Sequence, residues 1–270
     1  MKLAFLGGGN MAAALIGGLV AKGFDARAIS VIEVSPAARE RLCARYPVRI
    51  ATAPDAGVQA SDTLVLAVKP QDMKAALASL AGSVRGMLVV SIAAGVKLEA
   101  LSRWLGGHRK IVRCMPNTPA LIGAGIAGLY ALPEVNQEEK ARAEEILRAV
   151  GEVVWLREER LLDPVTAVSA SGPAYVFWFI EQLAASAVEL GIPRDAALKL
   201  ALHTVLGAAR LAASSEKPPA ELRKEVTSKG GTTEAALRVF DEEKLAERFK
   251  RAVEAASRRG AELGTELGKD

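Results

Sequence analysis

Lys2-Leu-Ala-Phe-Leu-Gly-Gly-Gly-Asn-Met-Ala12 opens as a short apolar run, breaks on three glycines and resumes as an alanine-rich helical pattern. A strand that turns sharply into a helix on glycines is the first unit of a nucleotide-binding βαβ arrangement. Gly7, Gly9 and Ala12 fit the Gly-x-Gly-x-x-Gly/Ala fingerprint. Gly7 permits the tight turn, Gly9 lets the backbone approach a pyrophosphate, and Ala12 keeps the helix close to the sheet. The helix from Met11, just after Asn10, then points its first amides at the phosphates.

Outward from that stretch, β-rich runs recur at residues 2–6, 29–33, 63–67, 87–92, 110–114 and 152–156. Helical segments at 11–22, 36–45, 72–80, 98–105 and 137–150 separate most of them. This alternation predicts a parallel, doubly wound sheet covered on both faces. The pattern changes near Arg157, after which no strand is evident. Gly172-Pro173, Gly191, Pro218-Pro219 and Gly230-Gly231 cut the remainder into about five helices. The expected organisation is therefore an α/β Rossmann-type domain at 1–158 and an all-α domain at 159–270. The segment 175–190 is apolar around most of its circumference. A helical half of ~110 residues has little interior, so that face is expected at an interface between subunits.

The 35 basic and 31 acidic residues nearly balance, and the basic ones are scattered singly or in pairs. That argues against a nucleic-acid partner, which selects a basic stripe. Cys43 and Cys114 are the two cysteines, too few for a disulfide framework, and both read as packing residues. The two histidines, His108 and His203, read as a loop residue and a packed helical residue. With so few soft ligands no metal cluster is expected. The apolar N-terminal run is too short for a signal core, and no uninterrupted apolar stretch is long enough to span a membrane. The chain reads as a soluble, cytoplasmic protein.

Ligands on doubly wound sheets lie beyond the carboxyl ends of the strands. Glu33 ends the second run at the distance expected for an acid that binds a ribose 2′-hydroxyl, and a carboxylate there repels a 2′-phosphate. This favours NADH, although Ser35 and Arg39 follow closely and either can hold a phosphate; Glu33 facing solvent is the plain alternative. Ala67-Val68-Lys69-Pro70 ends the next run, placing Lys69 either near the cofactor or in solvent. Ser91-Ile-Ala93-Ala-Gly95 ends the one after in the same way. Met115-Pro-Asn117-Thr-Pro119 is a turn stiffened by two prolines, suited to a nicotinamide wall and equally to a structural turn. Val226-Thr-Ser228-Lys-Gly230-Gly231-Thr232-Thr233-Glu234 precedes a helix expected at 234–240. Its glycines permit a nest of backbone amides around a small carboxylate, while ordinary threonine capping explains the same residues.

Together these segments, with Ser171-Gly-Pro-Ala-Tyr175, resemble the pyrroline-5-carboxylate reductase family over nearly the whole chain. The resemblance implies reduction of 1-pyrroline-5-carboxylate to L-proline by NADPH or NADH. It implies a helical domain interleaved with a partner in a homodimer, which in this family often assembles into a decamer of five dimers. It places the active site between one subunit's nucleotide domain and helices that include the partner's. By position Ser228, Gly230, Gly231 and Thr232 would bind the substrate carboxylate, Thr233 would bond the ring nitrogen, and residues 115–118 would line the nicotinamide pocket. Lys229 stands where the family usually has Pro, and this chain has Glu33 where the family shows Ser, Thr, Asn or Arg around the end of the second strand, which bears on cofactor choice. Residues 161–193 contain no Lys or Arg, so the catalytic lysine of the similarly built β-hydroxyacid dehydrogenases is missing. The remaining rivals are an imine reductase acting on another imine and a non-catalytic nicotinamide-sensing module.

Overall fold

The computed structural model describes residues 1–80 and 82–269; Ala81 and Asp270, the end of the expected helical domain, lie outside the described residues. The chain divides into one compact unit of Met1–Ser171 together with the chain from Ala256 onward, and a second of Gly172–Ala255.

In the first unit, eight strands among the described residues form one sheet. They are β1 (Leu3–Leu6), β2 (Ile29–Ile32), β3 (Arg49–Ala51), β4 (Thr63–Leu66), β5 (Leu88–Ser91), β6 (Ile111–Met115), β7 (Gly125–Ala131) and β8 (Gly151–Trp155). Their order is β3-β2-β1-β4-β5-β6-β7-β8. The helices between them are α1 (Asn10–Ala21), α2 (Pro36–Arg45), α3 (Ala56–Gln59), α4 (Met73–Ala78), α5 (Leu98–Trp104) and α6 (Gln137–Arg148). Strand residues alternate between two cores. Leu3, Phe5, Val31 and Val65 pack with Leu15, Ile16 and Leu42, while Ala4, Leu6, Leu64 and Leu66 pack with Met73, Leu77 and Leu101. Burial on both faces is why these strands read as continuous apolar runs. Where capping signals are complete, the boundary is sharp. At α6, Asn136 Oδ1 accepts from Glu139 N at 2.9 Å and Glu139 Oε2 accepts from Asn136 N at 2.9 Å.

Two strands escape the sequence pattern. β3 is a short, half-buried edge strand carrying the exposed Arg49, whose charge blunts the edge. β7 contains Gly125 and Gly128, which weaken any strand signal. Both approaches are too close for a side chain: a Cβ on Gly128 would lie 2.9 Å from Val165 Cγ1, and one on Gly125 2.9 Å from Ala120. β7 runs antiparallel to β6, so the sheet is not wholly parallel as expected. The connection at 116–124 is too short for a crossover helix, and a short connection returns the chain antiparallel. The helix α6 then makes β8 parallel to β7.

The sheet is followed by a short helix, α7 (Leu162–Val165), and a π-helical turn, Thr166–Ala170. The second unit holds α8 (Gly172–Glu189), α9 (Arg194–Ser214), α10 (Pro219–Glu225), α11 (Thr232–Glu242) and the start of α12 (Leu245–Leu267). Here α8 packs on α9, and Tyr175 meets Phe249 edge to face at 6.0 Å. Phe177, Trp178 and Phe179 nonetheless remain exposed on α8, as do Leu198 and Leu211 on α9. Exposed apolar faces of this extent mark an association surface. By length and composition α9 also passes for a membrane span, although Asp195, Lys199 and Arg210 interrupt it. His203 is exposed on α9 rather than packed, and Cys43 is exposed on α2 rather than part of the core. Cys114 is buried, and burial pushes its thiol far above the ordinary value.

Candidate active site

β1 delivers the chain to Gly7, whose φ of 99° lies in the region that favours glycine. A Cβ there would come within 2.8 Å of Ala67 O, and the Gly7 amide donates to Ile32 O at 2.8 Å. The turn is thus clamped to the ends of both neighbouring strands. Gly9 caps α1 without a side-chain bond, and nothing lies within 4 Å of where its Cβ would be. The amides of Asn10 and Met11 therefore head a helix whose entry is open, the arrangement that favours phosphate. Ala12 is buried against the sheet.

Glu33 neither faces solvent idly nor stands apart from the turn. Its Oε2 accepts from Gly8 N at 2.6 Å and its Oε1 from Ser35 N at 2.7 Å. Ser35 in turn caps α2 through Ala38 N at 3.4 Å. A carboxylate offers about four lone-pair positions, so each oxygen retains one for a hydroxyl donor. A cleft of about 300 Å³ runs from Gly8, Gly9 and Asn10 along Ala13 and Ala14, walled by Arg41 and Arg45. Nothing in the sequence singles these two arginines out, because an exposed helix with alternating charges carries many like them.

Strand register brings the remaining candidates into one row. Leu6 pairs with Ile32 and with Leu66, Leu66 with Ser91, and Ser91 with Arg113. Gly7, Glu33, Ala67 and Ala93 thus follow the carboxyl ends of four adjacent strands, and Met115 ends the fifth. Val68 and Ala67 press against Gly7, and Lys69 caps a short turn begun by Pro70. Ala93 is buried, its amide donating to Ser91 Oγ at 3.4 Å. Asn117 heads the turn Thr118–Ile122, and its side-chain amide bonds the protein at both ends.

The other candidates belong to the second unit and form a separate group. Ser228 O accepts from Gly231 N at 3.0 Å, and Gly230 adopts φ 74°. The helix α11 begins at Thr232, two residues earlier than expected, with Gly231 as its cap and no side chain capping it. The anticipated threonine cap is therefore absent: Thr232 and Thr233 are inside the helix, with their amides in its first turn. Glu234 Oε2 instead accepts from Gly230 N at 2.7 Å. The first donor of the loop is already taken by the chain's own carboxylate, a role that spacing four residues downstream of the glycine could have revealed. Lys229 is exposed.

Residues 2–95 match the family model described as NADP oxidoreductase coenzyme F420-dependent, and residues 159–263 match that described as pyrroline-5-carboxylate reductase dimerisation. A pyrroline-5-carboxylate reductase of Pseudomonas aeruginosa is 44% identical over 269 residues, covering 99% of this chain and 98% of that one. The chain belongs to the pyrroline-5-carboxylate reductase family. The solved pyrroline-5-carboxylate reductase of Coxiella burnetii superposes with a TM-score of 0.92 at 40% identity, covering 97% of this chain and 98% of that one. That of Plasmodium falciparum, solved with NADP bound, gives 0.85 at 28% identity, covering 98% of each.

As a member of this reductase family the chain is an oxidoreductase, and its helical region is a self-association domain. The exposed apolar faces of α8 and α9 acquire a physical reason from that. No motif brings a histidine or cysteine into either group of candidate residues. His108 lies at the far end of the sheet, its Nε2 at 3.0 Å from Met87 O, with burial holding its pKa below the ordinary value.

Proposed function

We propose that this chain reduces 1-pyrroline-5-carboxylate to L-proline, the last step of proline biosynthesis, in the cytoplasm. The observation that carries the reading is the row of strand ends from Gly7 to Met115; the second unit separately supplies a helix start at Thr232 that no side chain caps. Gly7, Gly9, Asn10 and Met11 would take the pyrophosphate, and Lys69 with Ala67, Val68, Pro70 and Ala93 the neighbouring ribose and phosphate. Met115 and Asn117 would border the nicotinamide. A reduced nicotinamide bound there supplies the hydride.

The chain's own residues have little acid–base work to do. The protonated cyclic imine is already electrophilic at carbon, and the product amine keeps its proton. Catalysis is then positioning: Ser228, Gly231 and Thr232 hold the acid group, with Gly230 shaping the loop while its amide is spent on Glu234, and Thr233 fixes the ring nitrogen. The functional division at 158/159 and assembly as a homodimer, extending to five dimers, complete the proposal.

Glu33 supports NADH as the preferred donor. Its carboxylate is held by Gly8 and Ser35 amides with lone pairs left for a ribose hydroxyl, and its charge opposes a 2′-phosphate. Oxidation of NADH and NADPH by pyrroline-5-carboxylate, followed spectrophotometrically, tests the whole reading. Turnover with NADH at least equal to that with NADPH is expected, and Glu33→Ser should move the ratio toward NADPH. Cofactor binding without turnover would mean a sensing module, and turnover only with imines lacking a carboxylate would mean another imine reductase.

A further inference from the structure

Asn117 spends its side chain on the protein. Its Oδ1 accepts from Ile126 N, at the start of β7, at 3.0 Å, and its Nδ2 donates to Ser169 O at 3.3 Å. Ser169 lies in the π-helical turn Thr166–Ala170, where Ser171 N reaches back to Thr166 O at 2.9 Å. Such turns are rare and recur at functional sites. The Ser169 hydroxyl is buried and has no partner. A buried unpaired hydroxyl calls for an explanation, since a turn that served packing alone would do better with alanine. Three separate features therefore meet at one place: a bridging amide, a π turn and an orphan hydroxyl.

We propose that Asn117 is a positioning residue for hydride transfer. It clamps the Met115–Thr118 wall to β7 on one side and to the π turn on the other, and does not itself bond the cofactor. The inference rests on the reading that this wall borders the nicotinamide. Met115 is paired with Gly128 of β7 and Ala120 is packed in the core, so between these two anchors the side-chain bonds of Asn117 set where the backbone of 116–118 stands. A wall displaced by a fraction of an ångström costs rate more than affinity, because the reacting carbons must meet in a narrow geometry.

The test uses the full chain with Asn117→Ala and Asn117→Asp. The aspartate keeps the acceptor for Ile126 N but sets an oxygen against the Ser169 carbonyl. Affinities for NADH and for ADP-ribose, which lacks the nicotinamide, are measured with kcat, KM and the isotope effect from deuterated NADH. For Asn117→Ala a loss in kcat of roughly 10- to 100-fold is expected. ADP-ribose affinity should stay within about twofold and the isotope effect should rise, with Asn117→Asp falling between wild type and Ala. Unchanged kcat in both variants, or equal loss of ADP-ribose and NADH binding, overturns the proposal. A wild-type chain that binds NADH no more tightly than ADP-ribose would instead remove the nicotinamide reading beneath it.

Discussion

The two groups of candidate residues are built in opposite ways. The nucleotide row is assembled from five strand ends that are far apart in sequence and brought level by register. The loop before α11 is assembled from consecutive residues, 228–234, on an exposed scaffold. The first is held by a core packed on both faces, the second by local hydrogen bonds among its own residues. Disturbing the first should therefore affect folding and cofactor binding together, whereas disturbing the second should change turnover in a protein that stays folded.

The sharpest way to break this contrast is Gly7→Ala. The positive φ and the 2.8 Å approach to Ala67 O act together, so a loss of at least ~2 kcal/mol in stability is expected, with weaker cofactor binding. Denaturant unfolding measures it, and a fully stable variant would show that the turn is not clamped. Thr233→Ala should leave unfolding unchanged and lose one transition-state hydrogen bond. That is of order 1–3 kcal/mol, or roughly 5- to 150-fold in kcat/KM. Unaltered steady-state kinetics would take Thr233 out of the mechanism.

A pH prediction separates the regions further. Glu139, buried at the start of α6, has competing influences: burial raises its pKa, and the Lys110 ammonium at 2.7 Å and the Asn136 amide outweigh this to hold it below the ordinary 4.5. A depressed carboxyl stabilises the fold above its unfolded value, and the contribution fades as pH falls below 4.5 through the folded value. Lys110→Met should cost about 1–3 kcal/mol near neutrality and start acid unfolding at a higher pH. An acid-unfolding curve identical to wild type would refute the pairing. The smallest effect belongs to Glu234→Gln. The amide oxygen can still accept from Gly230 N while the charge beside the carboxylate site disappears, so KM should fall a few-fold at constant kcat, by the loss of roughly 0.5–1 kcal/mol of repulsion. A raised KM would show that the Glu234 charge helps the substrate.

What could be read in advance follows the same division. The βαβ alternation and the glycine turn were legible because strands buried on both faces and a strand–Gly–helix junction leave periodic signatures. β7 was not, since Gly125 and Gly128 are required by close packing against Ala120 and Val165, a tertiary fact that looks like a turn in sequence. The side-chain partners of Asn117 lie in β7 and in the π turn, well away along the chain, so no spacing announces them. In the loop before α11 the glycines were legible, but which group caps them was not: threonine and glutamate both satisfy the spacing, and the geometry chose Glu234. The exposure of Cys43 and His203 has the same origin, as each stands on a helix whose pattern does not say which face meets solvent.

The most direct measurement is a crystal structure with NADH and a non-reactive proline analogue bound. The analogue's carboxylate is expected on the amides of 231–233, its ring nitrogen at the Thr233 hydroxyl, the pyrophosphate over Gly9 and the nicotinamide against Met115 and Asn117. A carboxylate lodged elsewhere, or a dinucleotide lying away from the Gly7–Asn10 turn, would contradict it.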